Sequence, residues 1–193
     1  MPWEKTFDTD EAIDQATQVF WAKGYEATSL ADLLKAIGIN KGSFYNAFGS
    51  KKSLFTQSLL KYDREQRRQI LAQLTSLQDP LLAVNTLFDA LIEQSLADVE
   101  RKGCFLVNTA LDLPNQDDDI QKTVKKGLHD FEAFFEQQVR LGISTGAIPT
   151  TVDPTVAAKG LLTLVVGLRV LSRGVFDQAS LSAIKTQAID LIQ

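Results

Sequence analysis

SLADLLKAIGINKGSFYNAFGSKKSL, residues 29–54, is the stretch on which the fold turns. Ser29 is a good helix N-cap, and Asp32, three residues on, is its capping-box partner. Leu30, Leu33, Leu34 and Ile37 recur at helical spacing and give one apolar face. Gly38 ends that helix, because glycine takes the left-handed conformation without a steric penalty. Asn40 caps a second helix over 41–48. Phe44 and Phe48 face inward there, and Lys41, Ser43, Tyr45 and Asn46 are left on the other side. Two short helices across a tight turn, the second polar and aromatic on its outer side, form the pattern of a helix-turn-helix. Its second helix is of the kind that enters a DNA major groove.

The flanks extend this pattern. Residues 9–23 read as a first helix, with Asp8 and Glu11 as a capping box and Ile13, Ala16, Thr17 and Phe20 as the buried stripe. Gly24 is its left-handed stop. Ser50 caps a long helix from 51 to about 76, marked on its inner side by Leu54, Phe55, Leu59, Tyr62, Ile70, Leu71 and Leu74. A helix of that length, spanning a change in charge, suits the connection between two domains.

The run GINKGSFYNAFGSKKSLF at 38–55, together with AIDQATQVFWAKGYEATSLADL at 12–33, closely resembles the N-terminal domain of TetR-family transcriptional regulators. The resemblance covers about residues 7–60. It implies a DNA-binding domain over 1–52 and a helical domain over 53–193 that senses a small molecule and dimerises. In the family, the positions matching Lys41, Ser43, Tyr45 and Asn46 are the usual DNA-facing ones. The residue types agree with that role. Lys41 and Lys51 can reach phosphates. Tyr45 offers a hydroxyl and a ring, and Ser43 and Asn46 are short enough to read base edges. Thr28 and Ser29, at a helix N-terminus, suit a backbone phosphate. Family members often carry a basic arm before the first helix, where this chain has only Lys5.

The rest of the chain reads as a helical body. Asp79-Pro80 opens a helix through Val84, Leu87, Phe88, Leu91 and Ile92. A short helix runs from Cys104 to about Leu113 and stops at Pro114. A long helix over 118–144 carries Phe131, Phe134 and Phe135. The last two helices span about 154–173 and 179–192. The fold class is all-α, with about nine helices. Phe88, Ile92, Cys104, Asn108, Phe131, Phe135 and Leu168 are the candidate pocket residues. Gly160 and Gly167 sit seven apart on one face, where close helix approach compensates their low propensity. Leu181, Ile184, Ala188 and Leu191 form a seam for another helix. Two such helices per chain make a four-helix dimer bundle, as the last two helices do in TetR-like proteins.

Composition narrows the function. At 45% hydrophobic, the 193 residues suffice for a core. The net charge is −4, but residues 24–68 hold eight basic against four acidic side chains. A basic segment on an acidic body suits a DNA reader with a separate sensing part. The single cysteine excludes an internal disulfide framework and fits a reducing compartment. No uninterrupted apolar run is long enough to span a bilayer, and the polar N-terminus is not a secretory signal, so the bacterial cytoplasm is the expected location. No cofactor is implied. Asp117, Asp118 and Asp119 are consecutive at a helix start and do not converge on one metal ion. His129, the only histidine, lacks a catalytic partner at a suitable spacing and reads as a surface residue.

The expectation is therefore a ligand-responsive repressor and not an enzyme. It binds a palindromic operator as a homodimer. A small molecule releases it, or modification of Cys104, which opens a helix beside Arg101 and Lys102 in a setting that activates thiols. Some TetR-like regulators have a similar Gly-Cys-apolar run at that place. The inert alternative is a buried cysteine that only fills space. The alternative to the whole reading is a helical scaffold that never touches DNA.

Overall fold

The computed structural model describes residues 7–193, so Lys5 lies outside the described residues. The first helix, α1 (Thr9–Lys23), starts where Asp8 Oδ1 accepts the N–H groups of Asp10 and Glu11. Glu11 does not return the bond and accepts from Gln15 instead, so half of the expected capping box forms. Helix α2 (Leu30–Ile37) has both halves of its box. Asp32 N–H donates to Ser29 Oγ at 3.1 Å, and Ser29 N–H donates to Asp32 Oδ2 at 2.9 Å. Gly38 follows at φ 72°, the left-handed value that stops a helix and allows α3 (Lys41–Phe48) to begin at a new angle.

Ser50 caps α4, a single rod built of three pieces: Lys51–Tyr62, a wider π turn at Asp63–Arg68, and Gln69–Thr75. Then come α5 (Pro80–Ala97), the short α6 (Phe105–Ala110), α7 (Asp118–Thr145), α8 (Pro154–Leu171) and α9 (Gln178–Asp190). A 3-10 turn, Leu113–Asn115, separates α6 from α7. With α4 taken as one rod, the described residues hold nine helices and no strand.

Two apolar clusters run through the described residues. The first joins Phe20, Leu33, Phe44, Phe48, Leu54, Phe55 and Leu59 with Phe105, Leu106 and Ile120. The second packs Leu87, Phe88, Phe135, Val139, Leu161 and Leu168 in the body. The first cluster thus reaches across residue 52 into α6 and α7, so the helix-turn-helix end rests directly on the body. Lys61, almost fully buried, locks α1 to α4 through Asp10 Oδ2 at 2.9 Å and Asp14 Oδ1 at 2.6 Å. Helix α8 is long and apolar enough to cross a membrane by composition, but Leu161, Val165 and Leu168 are buried in the body, as in a core helix.

Candidate nucleic-acid interface and effector cavity

Helix α3 presents a narrow outer face. Lys41, Gly42, Tyr45 and Asn46 are exposed, and Ser43, Phe44 and Phe48 are buried. At 100° per residue, Lys41 and Tyr45 lie within 40° of each other, with Gly42 and Asn46 beyond them. Ser43 is 200° from Lys41 and is only 5% exposed, so it does not share their face as the sequence suggested. Gly42 takes that place, and a residue without a side chain lets backbone approach a groove. Counting 100° steps from Lys41 would have found it.

The two hydroxyls before α2 are already engaged. Thr28 is buried, and its Oγ1 donates to the Gly24 carbonyl at 2.6 Å. Ser29 Oγ donates to Asp32 Oδ2 at 2.7 Å. What remains at this helix start for a phosphate is backbone N–H and the positive dipole end. Lys23 Nζ reaches Asp32 at 2.7 Å, and this ammonium, with Ser29, holds the Asp32 carboxyl well below the usual carboxylate range. Lys51 Nζ donates to the Thr28 carbonyl at 2.7 Å and lies 4.3 Å above the Tyr25 ring, so it braces the turn before α2. Lys52 is exposed and pairs with Asp117 at 2.8 Å. His129 is exposed and faces Glu132.

At the other end of α4, the π turn roofs a narrow cavity of about 40 Å³, room for roughly three waters. Tyr62, Cys104, Leu106, Leu128, Phe131 and Arg169 are among its walls. Cys104 is half-buried, and the Tyr62 hydroxyl donates to its Sγ at 3.6 Å. Burial pushes the Tyr62 hydroxyl well above its usual range, and the neighbouring thiol adds to this, so it stays a neutral donor. The Tyr62 ring stands edge-on to Trp21 of α1 at 5.0 Å, and Trp21 in turn stacks with Phe105 at 6.5 Å. The cavity wall is therefore one ring away from the first helix of the helix-turn-helix end.

Of the pocket residues expected from sequence, the cavity takes in Cys104 and Phe131. Phe88, Phe135 and Leu168 are enclosed by the body core, with Phe88 and Phe135 stacked at 6.3 Å, and Ile92 packs with them. Asn108 points elsewhere: it donates to the Lys102 carbonyl at 2.6 Å and accepts from Arg173 at 3.3 Å. What sequence reasoning missed is the polar set, Tyr62 and Arg169. Each sits inside an apolar helical pattern, and only the packing of α4, α5 and α8 brings them together.

The expected seam on α9 divides in two. Leu181 and Ala188 are buried within their own chain, whereas Ile184 is partly exposed and Leu191 is 42% exposed. Gly160 serves the same chain, because a Cβ there would lie 2.6 Å from Leu191 Cδ2. At Gly167 a Cβ would meet nothing within 4 Å. Val156, Thr163, Gly167 and Val170 follow one stripe on the side of α8 away from the core.

Comparison with known proteins agrees with this geometry. Residues 12–57 match the family of bacterial regulatory proteins, tetR family, and residues 80–187 match the tetracyclin repressor-like C-terminal domain. The HTH-type transcriptional repressor ComR of Escherichia coli (strain K12) is 32% identical over 173 residues, covering 88% of this chain and 81% of that protein. A cysteine mutant of the TetR-family regulator CifR, solved with 26-bp double-strand operator DNA, superposes with TM-score 0.83 at 28% identity. That match covers 96% of this chain and 97% of that one. The reduced form of Escherichia coli NemR shares the fold at TM-score 0.81 and 18% identity, over 95% and 96% of the two chains. With both halves matched and the helix-turn-helix in place, the chain belongs to the TetR family of transcriptional regulators, which are DNA-binding proteins and not enzymes.

Proposed function

We propose that the protein is a bacterial, cytoplasmic repressor that binds a palindromic operator as a homodimer and lets go when the cavity under the π turn is filled or Cys104 is modified. Residues 1–52 read DNA and residues 53–193 sense and dimerise. The observation that carries this is the contact between cavity and reader: Tyr62, a cavity wall, packs on Trp21 of α1. ComR is named a repressor and CifR was solved on operator DNA, which supports the same role here.

The mechanism follows from size. One reading helix covers too few base pairs for useful specificity, so two must sit about one DNA turn apart, roughly 34 Å. A cavity of about 40 Å³ holds no effector of ordinary size unless its walls move. Filling it displaces Tyr62 or the π turn, and with them α1 and the spacing of the two α3 helices. Shifting the dimer from 99% to 1% competent takes about 5.5 kcal/mol of differential binding. Lys41, Tyr45 and Asn46 contact DNA directly. Thr28, Ser29, Ser43 and Lys51 shape the helices that present them.

Cys104 offers a covalent route into the same space. With a peroxide, its sulfur takes one oxygen and water leaves, giving a sulfenic acid. With a quinone-like electrophile, a C–S bond forms and the thiol proton passes to the ring oxygen. Either product is bulkier than the thiol beside the Tyr62 hydroxyl. Selection of genomic DNA fragments by the full-length protein, then sequencing, gives the operator. Gel shifts with that operator test the rest. Peroxide or quinone should release the parent protein but not Cys104→Ser. Equal responses of the two would leave only a non-covalent effector, and failure to select any DNA would end the regulator reading.

A further inference from the structure

Three charged side chains face the cavity: Asp63, Arg67 and Arg169. The first two neutralise each other. Asp63 accepts from Arg67 Nε at 2.5 Å and Nη2 at 2.9 Å, and from Arg68 Nε at 3.0 Å. Arg67 also reaches Asp130, which Lys126 pairs in turn. Arg169 differs. It is 8% exposed, yet among the described residues it has no carboxylate partner. Its donors go to neutral acceptors only: the Leu91 carbonyl at 3.5 Å, Ser95 Oγ at 3.2 Å and Gln94 Oε1 at 2.5 Å. These groups lie in the last two turns of α5, where the helix dipole supplies a partial negative charge of about half a unit. A guanidinium does not shed its proton on burial. The cavity wall therefore carries a net positive charge, two of the five guanidinium N–H groups of Arg169 lack an acceptor among the described residues, and the surrounding wall is largely apolar.

A neutral ligand gains little from such a wall, and a cation is repelled by it. A carboxylate restores neutrality and accepts the spare N–H groups, a charge-assisted arrangement for which the guanidinium fork is shaped. The adjacent Tyr62 hydroxyl brings no competing charge, and its one proton can turn to a ligand only by leaving Cys104 Sγ. We propose that the cavity, widened by the same wall movement, takes a compact carboxylate with an apolar body, its head on Arg169 and its body against Leu128 and Phe131. This rests on the reading of the cavity as the effector site.

Benzoate and benzamide, equal in shape and different in charge, separate this from the alternatives. Titrated by calorimetry into the full-length protein without DNA, benzoate should bind at least tenfold more tightly than benzamide. Arg169→Gln should abolish the preference, and Arg169→Lys should keep part of it. Val166→Glu is an independent check should Arg169→Gln not fold. It places a carboxylate on the same wall, three residues before Arg169, and should weaken benzoate at least tenfold. Equal affinities of the parent for the two probes, binding of neither at millimolar concentration, or a preference that survives Arg169→Gln would overturn the proposal. Gel shifts on genome-selected fragments run alongside. DNA binding without a benzoate preference sinks the carboxylate site alone, whereas a benzoate preference without DNA binding sinks the regulator reading and leaves the site standing.

Discussion

Ser43 and Tyr45 are two positions apart on one short helix and have opposite fates. Tyr45 is 46% exposed and free to meet a groove, whereas Ser43 is buried against the helix-turn-helix core. Residue type made both look like DNA readers, and only the angular step of the helix tells them apart. Lys51 is less free than a lysine at a helix start looks, because one donor of its ammonium goes to the Thr28 carbonyl. Operator titrations should follow the geometry. Lys41→Ala should weaken binding and lower the salt slope by about one unit, since it removes one phosphate contact. Tyr45→Ala should weaken binding, whereas Ser43→Ala should leave it nearly unchanged. Equal losses from Ser43→Ala and Tyr45→Ala would mean that this face is not the reader. Asp32 makes a second residue-level prediction. Its folded carboxyl holds a proton less tightly than the ordinary value of 3.8, chiefly through Lys23, so the unfolded chain binds more protons as pH falls. The stability it contributes is full above about pH 3.8 and is lost in more acidic solution. Thermal melts of the parent and Asp32→Asn should differ near neutrality and converge toward pH 2.

At the scale of elements, caps and stops were legible because they are local. Ser29 with Asp32, Gly38, Asn40 and Ser50 each act within four residues, and each does in the fold what its type announces. The long α4 was legible too, but its π turn was not. That turn is held by tertiary charges: Asp63 and Arg67, each nearly fully buried, bond to one another and to Arg68 and Asp130. Gly127 of α7 makes room beneath it, since a Cβ there would lie 2.7 Å from Leu106 Cδ2 and 3.2 Å from Asp63 Oδ1. In sequence, DREQRR is only a charged stretch on a helix. Removing one partner should be far worse than removing both. Asp63→Ala leaves a buried guanidinium short of its carboxylate and should cost about 3–5 kcal/mol in urea unfolding. Asp63→Leu combined with Arg67→Met should recover most of that loss. A double variant as unstable as the single one would show that the turn is held by something other than this pair. The cavity was illegible for the same reason as the turn, because Tyr62, Cys104 and Arg169 come from three separate elements.

At the scale of the molecule, one chain offers one α3 face, and a palindrome needs two. In the proposed dimer the pairing surface is on α8 and α9, but not where the sequence pattern put its centre. Leu181 and Ala188 satisfy the heptad-like spacing because they close their own chain's core. Spacing identifies an apolar stripe without saying which neighbour it meets. Replacing Leu181 with a charge would therefore unfold the body as well as disrupt a dimer, and the result would be ambiguous. Thr163 and Gly167 are the better probes. Thr163 is exposed, and among the described residues its hydroxyl bonds only to the Lys159 carbonyl of its own helix and nothing lies within 4 Å of a Cβ at Gly167. A charged side chain at either position has room in the monomer, whereas in a symmetric four-helix interface it meets its own copy near the twofold axis. Thr163→Glu and Gly167→Arg should therefore keep helical content and thermal stability as monomers, halve the mass in sedimentation, and lose operator affinity because each half-site is then held by one weak reader. A dimer mass unchanged in both variants would place the interface on another face and break the proposed link between cavity filling and the spacing of the two α3 helices.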